Sequence, residues 1–269
     1  MRDSKDQGRP PPDHQKQLVQ LISELGYRHS HWQVFADFVE MAAISMSNAV
    51  DMGPREKREQ RYMEVVRRYK PDEVAKFPQM FGHLTMALEA ETSDVLGKTF
   101  HDLELHNKWA GQYFTPYPLC RMTAKMIVGE KADLEARIAE RGFVTAQEPA
   151  AGSGAMIIAL AQEIREAGIN YQQHLHVTAV DVDPKCVHMS YLQFSLLHIP
   201  ALIIHGNSLS LEEFDHWHTP AHILDGWSWK LRRKPDEAGY PLQEAPEQEA
   251  PPPSKREQAP ARPVQLGLF

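Results

Sequence analysis

Cysteine is scarce in this sequence: Cys120 and Cys186 are the only two in 269 residues. Two thiols so far apart make neither a metal-ligand pair nor a disulfide framework, so reduced, packed thiols of a cytoplasmic protein are expected. An excess of positive charge is also missing. Lys and Arg number 29 against 36 Asp and Glu, a net charge of −7. A protein that grips DNA through many phosphates carries a basic face, so contact with nucleic acid must be local or assisted by a partner. Long apolar runs are absent as well. The longest, Ala155 to Ala161, is too short to span a membrane, and the polar opening MRDSKDQGRPPPD holds no signal-peptide core. No membrane association is expected.

What is present is a chain with 42% hydrophobic residues, enough to bury a sizeable core. Residues 1–13 are polar and proline-rich and are predicted to be disordered. Residues 14–108 carry helical spacing. Leu18, Leu21, Ile22 and Leu25 share one face before Gly26, and Ser30 with Gln33 forms a capping-box signature ahead of an apolar run from His31 to Val50. Val74, Phe77, Phe81, Leu84 and Leu88 make a further stripe. Arg55, Lys57, Arg58, Arg61, Arg67, Arg68 and Lys70, interleaved with Glu56, Glu59 and Glu64, read as a solvated helical face.

The pattern changes over residues 109–233. A helix from Leu119 to Val128 leads to a strand at 143–146, then a glycine turn. A helix (Met156 to Ala167), a strand (His176 to Val180), a helix (Pro184 to Leu197) and a strand (Ala201 to Ile204) follow. This alternation predicts an α/β domain with parallel crossovers. Beyond residue 234 the composition turns to Pro, Glu, Gln and Ala, a predicted disordered tail.

The turn after the first strand reads Glu148-Pro149-Ala150-Ala151-Gly152-Ser153-Gly154. Glycines there let the backbone approach a ligand closely. Asp181 ends the next strand, where a carboxylate accepts hydrogen bonds from ribose hydroxyls. Ile157 stands where the dinucleotide fingerprint has its third glycine, and Glu148-Pro149 replaces the first, which disfavours NAD.

Further motifs sharpen the reading. Gly111-Gln112-Tyr113-Phe114-Thr115-Pro116 resembles the GQFFTP element of type I restriction modification subunits and related adenine-specific DNA methyltransferases. EPAAGSGA is similar to the DPACGSGG motif that follows it in that family. Asp94-Val95-Leu96-Gly97 resembles its helical lead-in, and Ala179 to Pro184 its acidic second-strand motif. His205-Gly206-Asn207-Ser208-Leu209 resembles a third-strand G-D-S-L, with Asn207 where Asp is usual. The resemblance covers roughly residues 90–210. It implies a Rossmann-like S-adenosylmethionine-dependent methyltransferase fold, here truncated, with a helical N-terminal region and a disordered C-terminal tail. It also implies cofactor contacts: Phe114 and Thr115 near the methionine end, Glu148, Gly152 and Gly154 as the floor, Asp181 on the ribose and Asn207 facing the adenine.

The family's transfer step needs Asn/Asp-Pro-Pro-Tyr/Phe, whose polar groups accept from the target amine while the ring stacks on a flipped base. In this sequence Pro-Pro occurs only at 10–12 and 251–253, in the wrong context. No catalytic residue is therefore assigned, and methyl transfer to adenine in DNA is expected to need a partner. A homodimer or a partner subunit both remain open. The alternative expectation is a non-catalytic S-adenosylmethionine-binding accessory module. The last residues, Gln265, Leu266, Gly267, Leu268 and Phe269, resemble the pentapeptide by which bacterial replication and repair proteins bind the sliding clamp. His216, His218 and His222 with Asp215 have zinc-like spacing. A polar turn with fortuitous histidines is the simpler reading, and no metal is assigned. Trp217, Trp227 and Trp229 are expected to cover the sheet edge left bare by missing strands.

Overall fold

A computed structural model describes residues 12–105 and 114–232. The Gly111-Gln112-Tyr113 part of the GQYFTP element and the terminal pentapeptide lie outside the described residues.

Helices form the first part: α1 (His14–Gly26), α2 (His31–Val50), α3 (Arg55–Val66), α4 (Pro71–Val74), α5 (Lys76–Ala90) and α6 (Val95–Asp102). Side chains cap three of them. Asp13 accepts the Lys16 N–H, Ser30 that of Gln33, and Asp94 that of Gly97, each satisfying a first-turn donor. The Gln33 amide donates onward to Asp37 at 2.8 Å. The apolar stripe expected after Val74 belongs to two helices, because α4 ends at Val74 and α5 begins at Lys76.

Next come α7 (Tyr117–Val128), α8 (Lys131–Arg141), β1 (Val144–Glu148), α9 (Ala155–Glu166), α10 (Tyr171–His174), β2 (Leu175–Asp181), α11 (Pro184–Leu196) and β3 (Ala201–Asn207). The described chain closes with β4 (Glu212–His218), α12 (Pro220–Leu224) and α13 (Trp227–Lys230). The sheet order is β1-β2-β3-β4. β1, β2 and β3 pair in parallel, and β4 returns antiparallel on β3 with a register shift at His205/Gly206. Parallel crossovers are right-handed, and two taken in the same direction put α9 and α11 on one face. The sheet thus winds one way only, as half of a doubly wound sheet does. β2 and β3 are buried or half-buried along their whole length, as parallel strands covered on both faces should be.

Two expectations are corrected. Residues 212–218 are a strand rather than a polar turn. Trp217 therefore packs on the β3 side, not over the free edge of β1, and Trp229 is exposed. Trp227 is fully buried, edge-on to Phe143 and beside His176. Among the described residues the outer edge of β1 has no strand partner. The basic helical stretch is not simply a solvated face either. Arg58 is buried and stacks on Trp217 with its guanidinium carbon 3.7 Å from the ring centroid. It also donates to Ser47 at 2.5 Å and to the His216 carbonyl at 2.8 Å. Arg61 and Arg68 are paired with Glu40 and Asp37.

Of the three spaced histidines, His218 and His222 stay close, their ring centroids 4.7 Å apart. His216 pairs with Glu213, while His222 bonds the buried His176 of β2 at 2.9 Å and Ser228 at 2.9 Å. Among the described residues no group of three His, Cys, Asp or Glu is placed to hold a metal ion. Burial, then the His222 ring, holds His176 well below its ordinary value of 6.5, and burial followed by His218 does the same for His222. Both rings are neutral in the fold, whereas the unfolded chain protonates them below about pH 6.5. Their stabilising contribution is therefore complete above that pH and is lost as pH falls beneath it. Between pH 7 and 5 the melting temperature of the native protein should fall more steeply than that of a His176→Gln, His222→Gln variant. Equal slopes in the two proteins would rule out this pair as a source of acid sensitivity.

Candidate functional site

The site forms where β1 and β2 end. Ala151 N–H bonds the Val180 carbonyl at 2.9 Å, so the turn after β1 stays zipped to β2. Gly152 then takes φ +54° and Gly154 φ +94°, left-handed values that favour glycine. A Cβ on Gly152 would lie 3.1 Å from the Phe114 ring, and one on Gly154 would lie 2.5 Å from the Phe194 ring. The turn is thus closed from two sides by aromatic rings, and Gly154 caps the start of α9.

Asp181 ties this turn to the end of β2. One carboxylate oxygen accepts the Gly152 N–H at 2.8 Å and the other accepts the Asp183 N–H at 2.9 Å. A carboxylate has about four lone-pair positions, so two hydrogen bonds leave acceptor capacity for a ligand. Burial, and next the like charge of Asp183, raises the Asp181 pKa, while the three backbone N–H groups of Asp183, Gly152 and Val182 lower it. Glu148 is held by the Ala150 N–H at 3.1 Å.

Together these residues line a cavity of about 530 Å³, of a size suited to a small ligand. Phe114, Thr115, Glu148, Gly152 and Asp181 all line it, as do Asp183, Met156 and both cysteines. Both thiols are buried, and burial raises the Cys186 pKa. Gly154 shapes the turn without lining the cavity. Asn207, at the end of β3, does not line it. Its side-chain oxygen accepts the Leu209 and Ser210 N–H groups at 3.0 and 3.3 Å, so that atom stabilises the β3–β4 connection.

Residue chemistry selects among ligands. Glu148, Asp181 and Asp183 present carboxylates to the cavity, which repel a pyrophosphate and favour a ligand carrying positive charge. S-Adenosylmethionine, with a sulfonium, two ribose hydroxyls and no phosphate, fits that donor set. Sequence reasoning did not single out Phe100, Asp94 or Gln193. Phe100 supports Phe114 from behind, with ring centroids 5.0 Å apart. Asp94 and Gln193 bond Ser153 of the turn. Only the lead-in motif containing Asp94 gave any signal of this layer.

The model of the family described as N-6 DNA Methylase matches residues 94–226. No curated protein matches the chain. Among solved structures, a protein from Listeria monocytogenes described as a class I S-adenosylmethionine-dependent methyltransferase aligns at 13% identity with a TM-score of 0.42. That alignment covers 73% of this chain and 54% of the other, so the chain spans about half the length of the structure it matches. The architecture stands on the strand order itself rather than on this likeness.

Two left-handed glycines invite a direct comparison. Gly226 has φ +68° and ψ +33° with open space where a Cβ would stand, whereas Gly154 faces Phe194. Gly226→Ala should cost about 1–2 kcal/mol, the conformational penalty alone. Gly154→Ala should cost more, because Phe194 must also shift. Urea denaturation of both variants checks this, and equal losses would show that the ring yields freely.

Proposed function

We propose that the chain, whose residues 94–226 match the N-6 DNA Methylase family model, binds S-adenosylmethionine in the cavity beneath the glycine turn. The wider activity is adenine-specific methylation of DNA, performed with a partner that supplies the transfer residues. The observation carrying the binding reading is the Asp181 carboxylate, fixed by two backbone N–H groups and facing an acidic, phosphate-averse cavity. In this assignment Asp181 accepts the ribose hydroxyls, Glu148 and the flexible Gly152 form the floor, and Phe114 and Thr115 border the methionine end. Asn207 lies outside the cavity lining with its amide oxygen committed to Leu209 and Ser210, and this assignment gives it no contact with the adenine. When bound, the cofactor supplies an electrophilic methyl group. What this chain contributes is orientation and the exclusion of water around it.

The partner reading rests on three observations. No Asn/Asp-Pro-Pro-aromatic sequence occurs anywhere in the chain. The residues near the expected place are committed elsewhere: Thr219 caps α12 and bonds Ala201, and His222 is locked to His176 and Ser228. In addition, among the described residues β1 is an open parallel edge flanked by an apolar groove of about 260 Å³, which shares Glu148 and Met156 with the cofactor cavity. A segment seated there would end beside the cofactor. DNA contact would then be assisted by the partner, in keeping with the net negative charge.

Two measurements test this. Calorimetric titration should show S-adenosylmethionine binding to the purified chain, weakened by about 1.5–3 kcal/mol in Asp181→Ala, the range for hydrogen bonds to a charged group. Undiminished affinity in a folded variant would move the ribose elsewhere. Tritiated methyl transfer to unmethylated genomic DNA should be absent with the pure chain. Robust incorporation would show that this chain completes its own catalytic site.

A further inference from the structure

Behind the cofactor turn lies a buried polar cluster whose hydrogen bonds the reading above does not use; of its residues only Ser153 also lines the cavity. Asp94 is 8% exposed, Ser153 1% and Gln193 0%. The Ser153 hydroxyl donates to Asp94 Oδ2 at 2.5 Å. Gln193 Nε2 donates twice, to Asp94 Oδ1 at 2.9 Å and to the Ser153 carbonyl at 2.8 Å, and its Oε1 accepts the Leu96 N–H at 3.0 Å. Asp94 also caps α6 through the Gly97 N–H at 2.9 Å. These bonds join three segments distant in sequence: the start of α6, the turn between β1 and α9, and the last turns of α11. Both hydrogens and the oxygen of the Gln193 amide are used, which only an amide of that length can do here.

Gly97 belongs to the same arrangement. A Cβ there would lie 1.9 Å from Asp94 Oδ2 and 2.8 Å from Ser153 Oγ. Any side chain at that position would push the carboxylate away from the serine. The same helix carries Phe100, whose ring packs on Phe114, itself a wall of the cavity. Phe114 packs against the turn at Gly152, and α6 is bonded to the turn while supporting the ring.

We propose that Asp94, Gly97, Ser153 and Gln193 are positioning residues that hold the glycine turn against Phe114 and thereby tune affinity for the cofactor, Asp94, Gly97 and Gln193 doing so from outside the cavity lining. This rests on the S-adenosylmethionine reading. Asp181 holds the turn from the front through Gly152, and Asp94 with Gln193 holds it from behind through Ser153. A turn with two left-handed glycines is intrinsically loose, so its shape depends on such external bonds. Burial raises the Asp94 pKa, and the hydrogen bonds from Ser153, Gln193 and Gly97 oppose that shift by favouring the ionised form.

The test uses the full chain with Ser153→Ala, Asp94→Ala, Asp94→Asn and the Asp94→Ala, Ser153→Ala double variant. S-Adenosylmethionine affinity is measured by calorimetry, and hydrogen exchange of the 151–155 amides is followed in the ligand-free protein. Ser153→Ala should weaken binding by about five- to thirty-fold, the equivalent of one buried hydrogen bond, and speed exchange in the turn. Asp94→Ala should do at least as much. The double variant should bind no worse than the weaker-binding single one, because both remove the same link. Asp94→Asn keeps an oxygen for Gly97 and Gln193 and should recover most of the affinity lost in Asp94→Ala. If Asp94→Ala does not fold, Ser153→Ala and Asp94→Asn decide the matter. Native affinity and native exchange in Ser153→Ala, or losses that simply multiply, would overturn the proposal. If the parent protein takes up no S-adenosylmethionine, the functional reading falls, while the exchange data still judge the cluster.

Discussion

One carboxylate holds the site together. Asp181 closes the gap between the end of β2 and the turn leaving β1, accepting one backbone N–H from each side. It reinforces the Ala151 N–H bond to the Val180 carbonyl, which joins the same turn to β2. The glycines that make the turn compact also leave it free to adopt many shapes. Burying this charge is costly, and the N–H groups offset that cost. The result is a half-buried acceptor at the bottom of an acidic cavity, which selects for a phosphate-free ligand before any specific contact is made.

The direction of winding governs the rest. Strands added one way place α9 and α11 together on one face of the sheet, and α2 packs along α11. β4 caps the β3 edge by turning antiparallel, with a register shift at His205/Gly206 that lets the connection bend away. The opposite edge is treated differently. β1 remains unpaired among the described residues, and the neighbouring α7 exposes Leu119, Met122, Met126 and Ile127. Stray apolar residues are common on protein surfaces, but a stripe beside an open parallel edge is not.

How legible this was depended on the range of the interaction. The glycine turn, Asp181 and the strand–helix alternation announce themselves through neighbours in sequence, and the cavity brings together most of the residues assigned from them. α8 went unnoticed because its apolar face, Leu134 and Ile138, is too narrow to stand out. β4 reads as polar because the sequence EEFDHWH buries only Trp217. Gln193 and Arg58 are invisible for a different reason. Their partners lie 97–99 and 158 residues away, where no local pattern reaches. A glutamine inside an apolar helix and an arginine in a charged run look ordinary until the fold brings their partners close.

The stacking of Arg58 on Trp217 means that the helical region cannot be removed cleanly from the sheet. Stripping α3 away would expose an indole and leave the end of β4 without its cap, and removing α2 would uncover α11. One apolar cluster runs from Leu18 through the helices to Trp217. Melting should consequently be a single cooperative event, with no intermediate in which the sheet survives alone. A fragment starting near the first motif would expose a tryptophan and would tend to aggregate rather than fold as a smaller domain.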